Sequence, residues 1–138
     1  MRWLNRAILA GLFLSTTVLV ASAEELTVAS APPVVVSTEP RAGQTDVAPG
    51  TNEIRVTFSR PMRDGSWSWV KLSDTSFPKT TGNPRFLDNQ RTCVLPVSLQ
   101  PGKTYAMWLN RPPYENFQDQ DGHKAVPYLL VFETRHSA

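Results

Sequence analysis

The stretch that decides the fold is residues 53–59 (EIRVTFS), in which apolar and polar side chains alternate strictly. Ile54, Val56 and Phe58 fall on one face of an extended chain, and the polar residues between them fall on the other. This period of two predicts a strand with one buried face.

Six further segments have the composition of strands and are separated by turn residues such as Asp64-Gly65. The 12 prolines argue against long helices, because a proline inside a helix costs about 3 kcal/mol. We therefore predict an all-β fold, a seven-stranded β-sandwich. The other six predicted strands cover residues 34–38, 67–72, 85–87, 92–97, 104–110 and 126–134.

The N-terminus has the pattern of an export signal. Arg2 and Arg6 precede an uncharged apolar stretch, and Ala21-Ser22-Ala23 matches a cleavage site of small residues. We expect residues 1–23 to be a cleaved signal peptide, residues 24–32 a flexible lead-in and residues 33–135 one domain outside the cytoplasm, periplasmic or secreted. An uncleaved N-terminal anchor is the alternative, although the apolar stretch is shorter than the roughly 20 residues of a membrane-spanning helix.

Cleavage would also change the charge balance of the chain. Two of the 14 basic residues lie in the signal, which leaves 12 basic against 12 acidic residues. A neutral domain gives no support to binding of nucleic acid or anionic lipid. We expect no membrane span in the mature chain, and the oligomeric state stays open.

Residues 99–105 (LQPGKTY) place a tyrosine at the start of the sixth predicted strand, directly after a Pro-Gly turn. In immunoglobulin (Ig) domains such a tyrosine forms a corner in which its hydroxyl bonds to upstream backbone, two residues before a core cysteine. Here that cysteine position is Met107, and its partner position falls near Val56. The pattern predicts an Ig-like sandwich without a disulfide.

Four groups of residues along the chain form a recognisable pattern: residues 36–40 (VSTEP) with Gly43 and Pro49, residues 54–62 (IRVTFSRPM), Asp121-Gly122 and residues 132–134 (FET). Together they resemble bacterial Ig-like domains of the SbsA S-layer type, and the resemblance covers roughly residues 33–134. It implies a non-catalytic module for structural support or for binding a cell-envelope glycan or protein, with no cofactor.

The opening residues also resemble periplasmic copper-resistance domains of the CopC type, which implies a copper-binding carrier as the alternative function. That family holds copper through a histidine near the mature N-terminus, whereas His123 and His136 lie near the C-terminal end here. Met62 and Met107 could supply thioether ligands, but Met107 falls on an inward strand position and we expect both in the core. We predict no metal site.

No motif for catalysis accompanies these histidines, and we predict no catalytic residue. Cys93 shares a face with apolar neighbours in its strand, so we expect a buried thiol. Residues 119–122 (DQDG) contain only part of a calcium-binding loop, and we interpret them as a turn.

A candidate binding surface follows from strand alternation. If Lys71 faces solvent, Trp67 and Trp69 share its face, and Ser68, Val70 and Leu72 point inward. With Tyr105, Met107 and Leu109 inward in the sixth strand, Trp108 and Asn110 point outward. Ig topology makes the third, sixth and last strands neighbours, so the three tryptophans would share one outer face.

Three interpretations of that face stay open. In the first interpretation, the face is an aromatic platform for a glycan or protein, with Asn110, Arg111 and Lys71 at its rim. Alternatively, residues 111–125 fold Tyr114 and Phe117 over it as a second small core, or a third-strand tryptophan belongs to the main core, as is common in Ig domains. The candidate site comprises Trp67, Trp69, Trp108, Asn110, Tyr114 and Phe117.

Overall fold

A computed structural model describes residues 10–19 and 25–137 of the chain. Arg2, Arg6 and the expected cleavage site at residues 21–23 lie outside these ranges. Among the described residues, no helix is long and apolar enough to cross a membrane. The strands are β1 (Val35–Glu39), β2 (Glu53–Phe58), β3 (Trp69–Lys71), β4 (Lys79–Thr80), β5 (Arg85–Phe86), β6 (Thr92–Ser98), β7 (Thr104–Leu109) and β8 (Tyr128–Glu133).

The strands form two antiparallel sheets that face each other. One has the order β1-β2-β6, with β4 and β5 both paired to β6, and the other has the order β3-β7-β8. The predicted sandwich is confirmed, as is the grouping of the third, sixth and last predicted strands in one sheet. The structure has eight strands rather than the seven predicted. Strand β4 was not predicted because its two exposed polar residues show no apolar alternation.

The core lies between the sheets and follows the alternation of the sequence. Ile54, Val56 and Phe58 of β2 are at most 1% exposed, while the residues between them are partly exposed. Tyr105 and Met107 of β7 face them and are equally buried. The prediction of a sandwich without a disulfide is confirmed, since the single cysteine, Cys93, is buried and unpaired.

The tyrosine corner is present. The Tyr105 hydroxyl accepts a hydrogen bond from the backbone N–H of Gln100 at 2.8 Å. The neighbouring Thr134 hydroxyl donates to the carbonyl of the same Gln100 and accepts from the N–H of Lys103. These bonds fix the turn between β6 and β7 against the end of β8.

Residues 43–47 run along the outer edge of β8. Gly43, whose φ of 82° favours glycine, donates its N–H to Val131. Val47 donates its N–H to Glu133 and forms a parallel bridge with Thr134. This segment therefore occupies the backbone groups that β8 would otherwise present at a sheet edge.

The segment before β1 contacts the domain. Ala31 donates its N–H to the Thr27 carbonyl in a turn, and the Arg60 guanidinium donates to the carbonyl of Ala29. Pro33 is buried and accepts a hydrogen bond from the N–H of Val126. Residues 27–33 thus follow the surface of the sandwich before the first strand begins.

Candidate functional site

Trp69 lies on the inner face of its sheet, so the expectation that it points outward is wrong. In the antiparallel pair of β3 and β7, Trp69 lies opposite Leu109, which is buried in the core. Opposite residues of paired strands share a face. The Trp69 ring also lies 5.7 Å from the ring of buried Phe117, so Trp69 belongs to the rim of the core.

The face assignment was wrong because it assumed that an exposed lysine marks an outer face. Lys71 lies opposite Met107 and therefore shares the inner face, yet β3 is an edge strand. Its ammonium reaches solvent past the open edge, 6.0 Å from the centre of the Phe77 ring. A long aliphatic stem lets a lysine do this from an inward position.

Val70 and Trp108 lie opposite each other on the outer face, with Leu129 beside Trp108 on β8. Val70 and Leu72 were expected to point inward, but Val70 is only partly buried and Leu72 is 47% exposed. Trp108 keeps its predicted outer position, whereas Trp67 and Trp69 pack against the core. The Arg111 guanidinium lies 5.7 Å from the centre of its ring.

Asn110 was expected to point outward and is instead fully buried. The strand ends at Leu109, and Asn110 adopts a φ of 62° that turns its side chain inward. Its amide nitrogen donates to the carbonyls of Phe117 and Ala125, and its oxygen accepts from the N–H of Phe117. Asn110 therefore fixes the following loop rather than offering a contact to a partner.

Phe117 and Tyr114 occupy different places, so residues 111–125 do not build a second core over the outer face. Phe117 is fully buried in the main core, with its ring 5.0 Å from that of Phe58. Tyr114 is 62% exposed. A tight turn in which Arg111 and Tyr114 exchange backbone hydrogen bonds holds Tyr114 at the surface.

An open groove of about 690 Å³ lies at the edge where the two sheets part, and we call it the edge groove. Trp67, Trp69 and the rest of β3 form one wall. Residues of the segment 77–84, together with Leu95, form the other, and Tyr114 and Asn116 line one end. Three of the six predicted site residues, Trp67, Trp69 and Tyr114, thus meet at a sheet edge rather than on a sheet face.

Two serine hydroxyls attach the end of the groove that Tyr114 and Asn116 line to the segment that precedes β3. Ser68, which is buried, accepts a hydrogen bond from the N–H of Asn116 at 2.9 Å. Ser66 donates to the carbonyl of Asn116 and accepts from the side chain of Gln118. Because Trp67 lies between these two serines, its backbone is tied to the loop that carries Tyr114.

A second open depression, of about 670 Å³, lies near residues 39–55. Charged side chains, among them Glu39, Asp46, Arg55 and Arg135, line it, and aromatic residues are absent from its described lining. Among the described residues, it lacks the aromatic side chains that commonly line binding sites.

The loop of residues 119–123 forms the turn that the sequence predicts. One oxygen of Asp119 accepts the N–H groups of Asp121 and His123 at 3.0 and 2.8 Å. The other lies 3.2 Å from the Arg60 guanidinium and 2.8 Å from His123 Nδ1. Burial disfavours the charged form of Asp119, but the hydrogen bonds from His123 and Asp121 outweigh it and hold the pKa below its usual value.

The possible metal ligands within the described residues do not favour copper. Asp119, Asp121 and His123 place ligand atoms within 4.8 Å of one another, but both Asp119 oxygens already accept hydrogen bonds. The softer ligands Met62, Met107 and Cys93 are at most 2% exposed. Burial raises the pKa of the Cys93 thiol to about 12, which keeps it protonated and poor as a ligand or nucleophile.

Sequence reasoning missed Asn83 and Asn116 as groove residues, because both lie in loops where no period applies. It also missed the buried pair of Arg60 and Asp119, which are far apart in the chain. The signal available for Asn110 was its residue type, since asparagine tolerates a positive φ at the end of a strand.

Three comparisons with known proteins place the chain among its relatives. No curated protein matches the chain. Two solved structures of the S-layer protein SbsC resemble it, one of rSbsC(31-844) with 19% identity and a TM-score of 0.48, and one of domains 1–6 with 16% identity and a TM-score of 0.45. Each match covers 78% of this chain, which spans only 14% of either structure. Residues 29–134 match the family described as bacterial Ig-like domain. The chain therefore belongs to the bacterial Ig-like domain family.

Proposed function

We propose that this chain is a non-enzymatic module that acts outside the cytoplasm, either as structural support or by binding a cell-envelope glycan or protein. The observation that carries the binding role is the edge groove, where Trp67, Trp69 and Tyr114 converge. Open apolar surfaces with aromatic residues and a few polar groups are the usual form of binding sites.

The chemistry of the described residues supports a role without catalysis. The Cys93 thiol is buried and protonated, so it lacks the thiolate that a nucleophile needs. His123 is held by Asp119, which also pairs with Arg60, and no hydroxyl or thiol accompanies it in this hydrogen-bond network. Such a network stabilises a loop, and among the described residues it contains no nucleophile for His123 to activate.

Export is the second part of the proposal and rests on the N-terminal sequence. The basic start, the apolar stretch and the Ala21-Ser22-Ala23 motif are the three parts of a secretory signal. Expression with a C-terminal tag in a bacterial host tests it, with the N-terminus of extracytoplasmic material determined by mass spectrometry. We expect a chain that begins at Glu24, and cytoplasmic retention of the full-length chain would contradict export.

A binding experiment separates the structural role from the binding role. The mature chain is immobilised and exposed to a detergent-free cell-envelope extract, and the retained glycans and proteins are compared with those on a Tyr114→Ala column. We expect material that the intact chain retains and the Tyr114→Ala chain loses. A Leu129→Ala column is the control, because Leu129 lies on the outer face of the same sheet. Identical retention on all three columns would leave structural support as the function.

A further inference from the structure

We infer that the edge groove accepts an uncharged carbohydrate chain. The inference rests on the proposed binding role of the groove and names the chemical class of its ligand. Three properties of the groove carry it: the charge of its lining, its free hydrogen-bonding groups and the fixed position of its aromatic residues.

The charge of the lining favours a neutral ligand. Lys71 is the single ionisable side chain with a net charge along the described lining, and no carboxylate lies there. The ammonium of Lys71 is already 3.7 Å from the carboxylate of Asp74. An anionic or cationic polymer would therefore find little complementary charge in the groove. A neutral chain loses no binding energy from this lack of charge.

The polar groups of the groove match those of a sugar. Asn83, Asn116 and Thr80 contribute amides and a hydroxyl to the lining. Within the described structure, none of these three side chains has a hydrogen bond to another protein group. Amides and hydroxyls both donate and accept, as the hydroxyls of a sugar also do.

The backbone that carries the aromatic side chains is positioned before any ligand arrives. The Arg111–Tyr114 turn holds Tyr114, and the Ser66 and Ser68 hydrogen bonds hold the backbone on both sides of Trp67. Their rings present flat apolar faces with a negative π surface, to which the polarised C–H groups of a sugar ring are complementary. Because this backbone is already held in place, binding requires little ordering of the loop that carries the rings.

A protein strand added to the edge is the competing occupant, and the groove suits it less. The free edge of β3 is three residues long and carries Lys71. Short edge strands and edge lysines are features by which proteins prevent strand addition. A groove lined by side chains beside such an edge favours a ligand that binds through its rings and hydroxyls rather than through backbone hydrogen bonds.

The test uses the full mature chain and defined probes. These are the β-1,4-linked hexasaccharides of glucose and of N-acetylglucosamine, the α-1,4-linked hexasaccharide of glucose, and polygalacturonate as the anionic counterpart. Binding is followed by calorimetry and by tryptophan fluorescence. We expect at least one neutral hexasaccharide to bind, with an affinity unchanged at an ionic strength of about 1 M, where charge interactions are screened beyond about 3 Å.

Substitutions locate the binding. Tyr114→Ala should weaken it about tenfold or more, as truncation of an aromatic contact can, while Tyr114→Phe keeps most of it. Leu129→Ala on the outer face should leave it unchanged. Because Tyr114 is largely exposed, the melting temperature of Tyr114→Ala should equal that of the parent chain, so a loss of binding reports the contact itself.

The outcomes separate this inference from the proposed function. Failure of all three neutral hexasaccharides to bind at millimolar concentration overturns the carbohydrate inference, as does a preference for polygalacturonate that salt abolishes. If the envelope extract then still yields a protein that depends on Tyr114, the binding role stands with a different ligand class. If neither binds, both the inference and the binding role fall.

Discussion

Tyr105→Phe should destabilise the domain by about 1–2 kcal/mol. The substitution removes one oxygen from a side chain that is 1% exposed and leaves its ring, which lies 5.5 Å from the ring of Phe132, in place. The lost bond is the 2.8 Å contact from the N–H of Gln100. A hydrogen bond contributes about 1 kcal/mol net, and an N–H left without a partner costs about 1–3 kcal/mol where water cannot reach it.

The assay is urea unfolding of the mature chain followed by tryptophan fluorescence, with thermal unfolding as a second measurement. For a domain of this size, each kcal/mol corresponds to a shift of about 3–6 °C in melting temperature. The m value should not change, because the substitution exposes no new surface in the folded state. Tyr128→Phe is the matched control, since the Tyr128 hydroxyl has no partner among the described residues and Tyr128 is only partly buried.

A double-mutant cycle sharpens the test. The Thr134 hydroxyl donates to the carbonyl of Gln100, the residue whose N–H bonds to Tyr105, so Tyr105→Phe and Thr134→Val should be coupled by more than about 0.5 kcal/mol. If Tyr105→Phe shifts the urea midpoint no more than Tyr128→Phe does, the hydrogen bond contributes nothing net and the reasoning is refuted. Additive effects of the two substitutions would show that the corner does not act as one unit.

Three more predictions follow from buried groups. Phe117→Ala should cost about 3–5 kcal/mol in urea unfolding, because it empties a site in the core, and a cost below 1 kcal/mol would contradict that position. Cys93 should not react with a thiol reagent at pH 8 until urea unfolds the chain, and immediate labelling of the folded protein would contradict the raised pKa. Because the pKa of Asp119 is lowered by folding, its contribution to stability should be fully present above about pH 4 and be lost as the pH falls further. Urea midpoints measured from acid to neutral pH should show this decline in the parent chain and a smaller one in Asp119→Asn, and equal slopes would contradict it.

The sequence predicts the core well where a strand is buried on one face. The period of two places Ile54, Val56 and Met107 correctly, because a half-buried strand must alternate. It fails for Trp69, whose face depends on the pairing of β3 with β7 rather than on its own neighbours in sequence. A three-residue edge strand is too short for its period to decide which side is buried.

The location of the candidate site could not be predicted from the sequence. Trp67 and Trp69 were expected on the outer face of the sheet, whereas they meet Tyr114 at the edge beside β3. Their meeting place depends on where residues 111–117 fold, and this is set by the positive φ of Asn110 and the burial of Phe117. Such long-range contacts leave no periodic signal in a single sequence.

The position of residues 43–47 along β8 has a consequence for a crowded setting. Growth of a fibre by edge-to-edge strand pairing needs two free edge strands in the same sheet, one that pairs with the preceding molecule and one that pairs with the following molecule. In the three-stranded sheet, the backbone hydrogen bonds of Gly43 and Val47 already occupy the free edge of β8. Strand pairing through this sheet would therefore stop at two molecules, which allows many copies to lie side by side without polymerising along it.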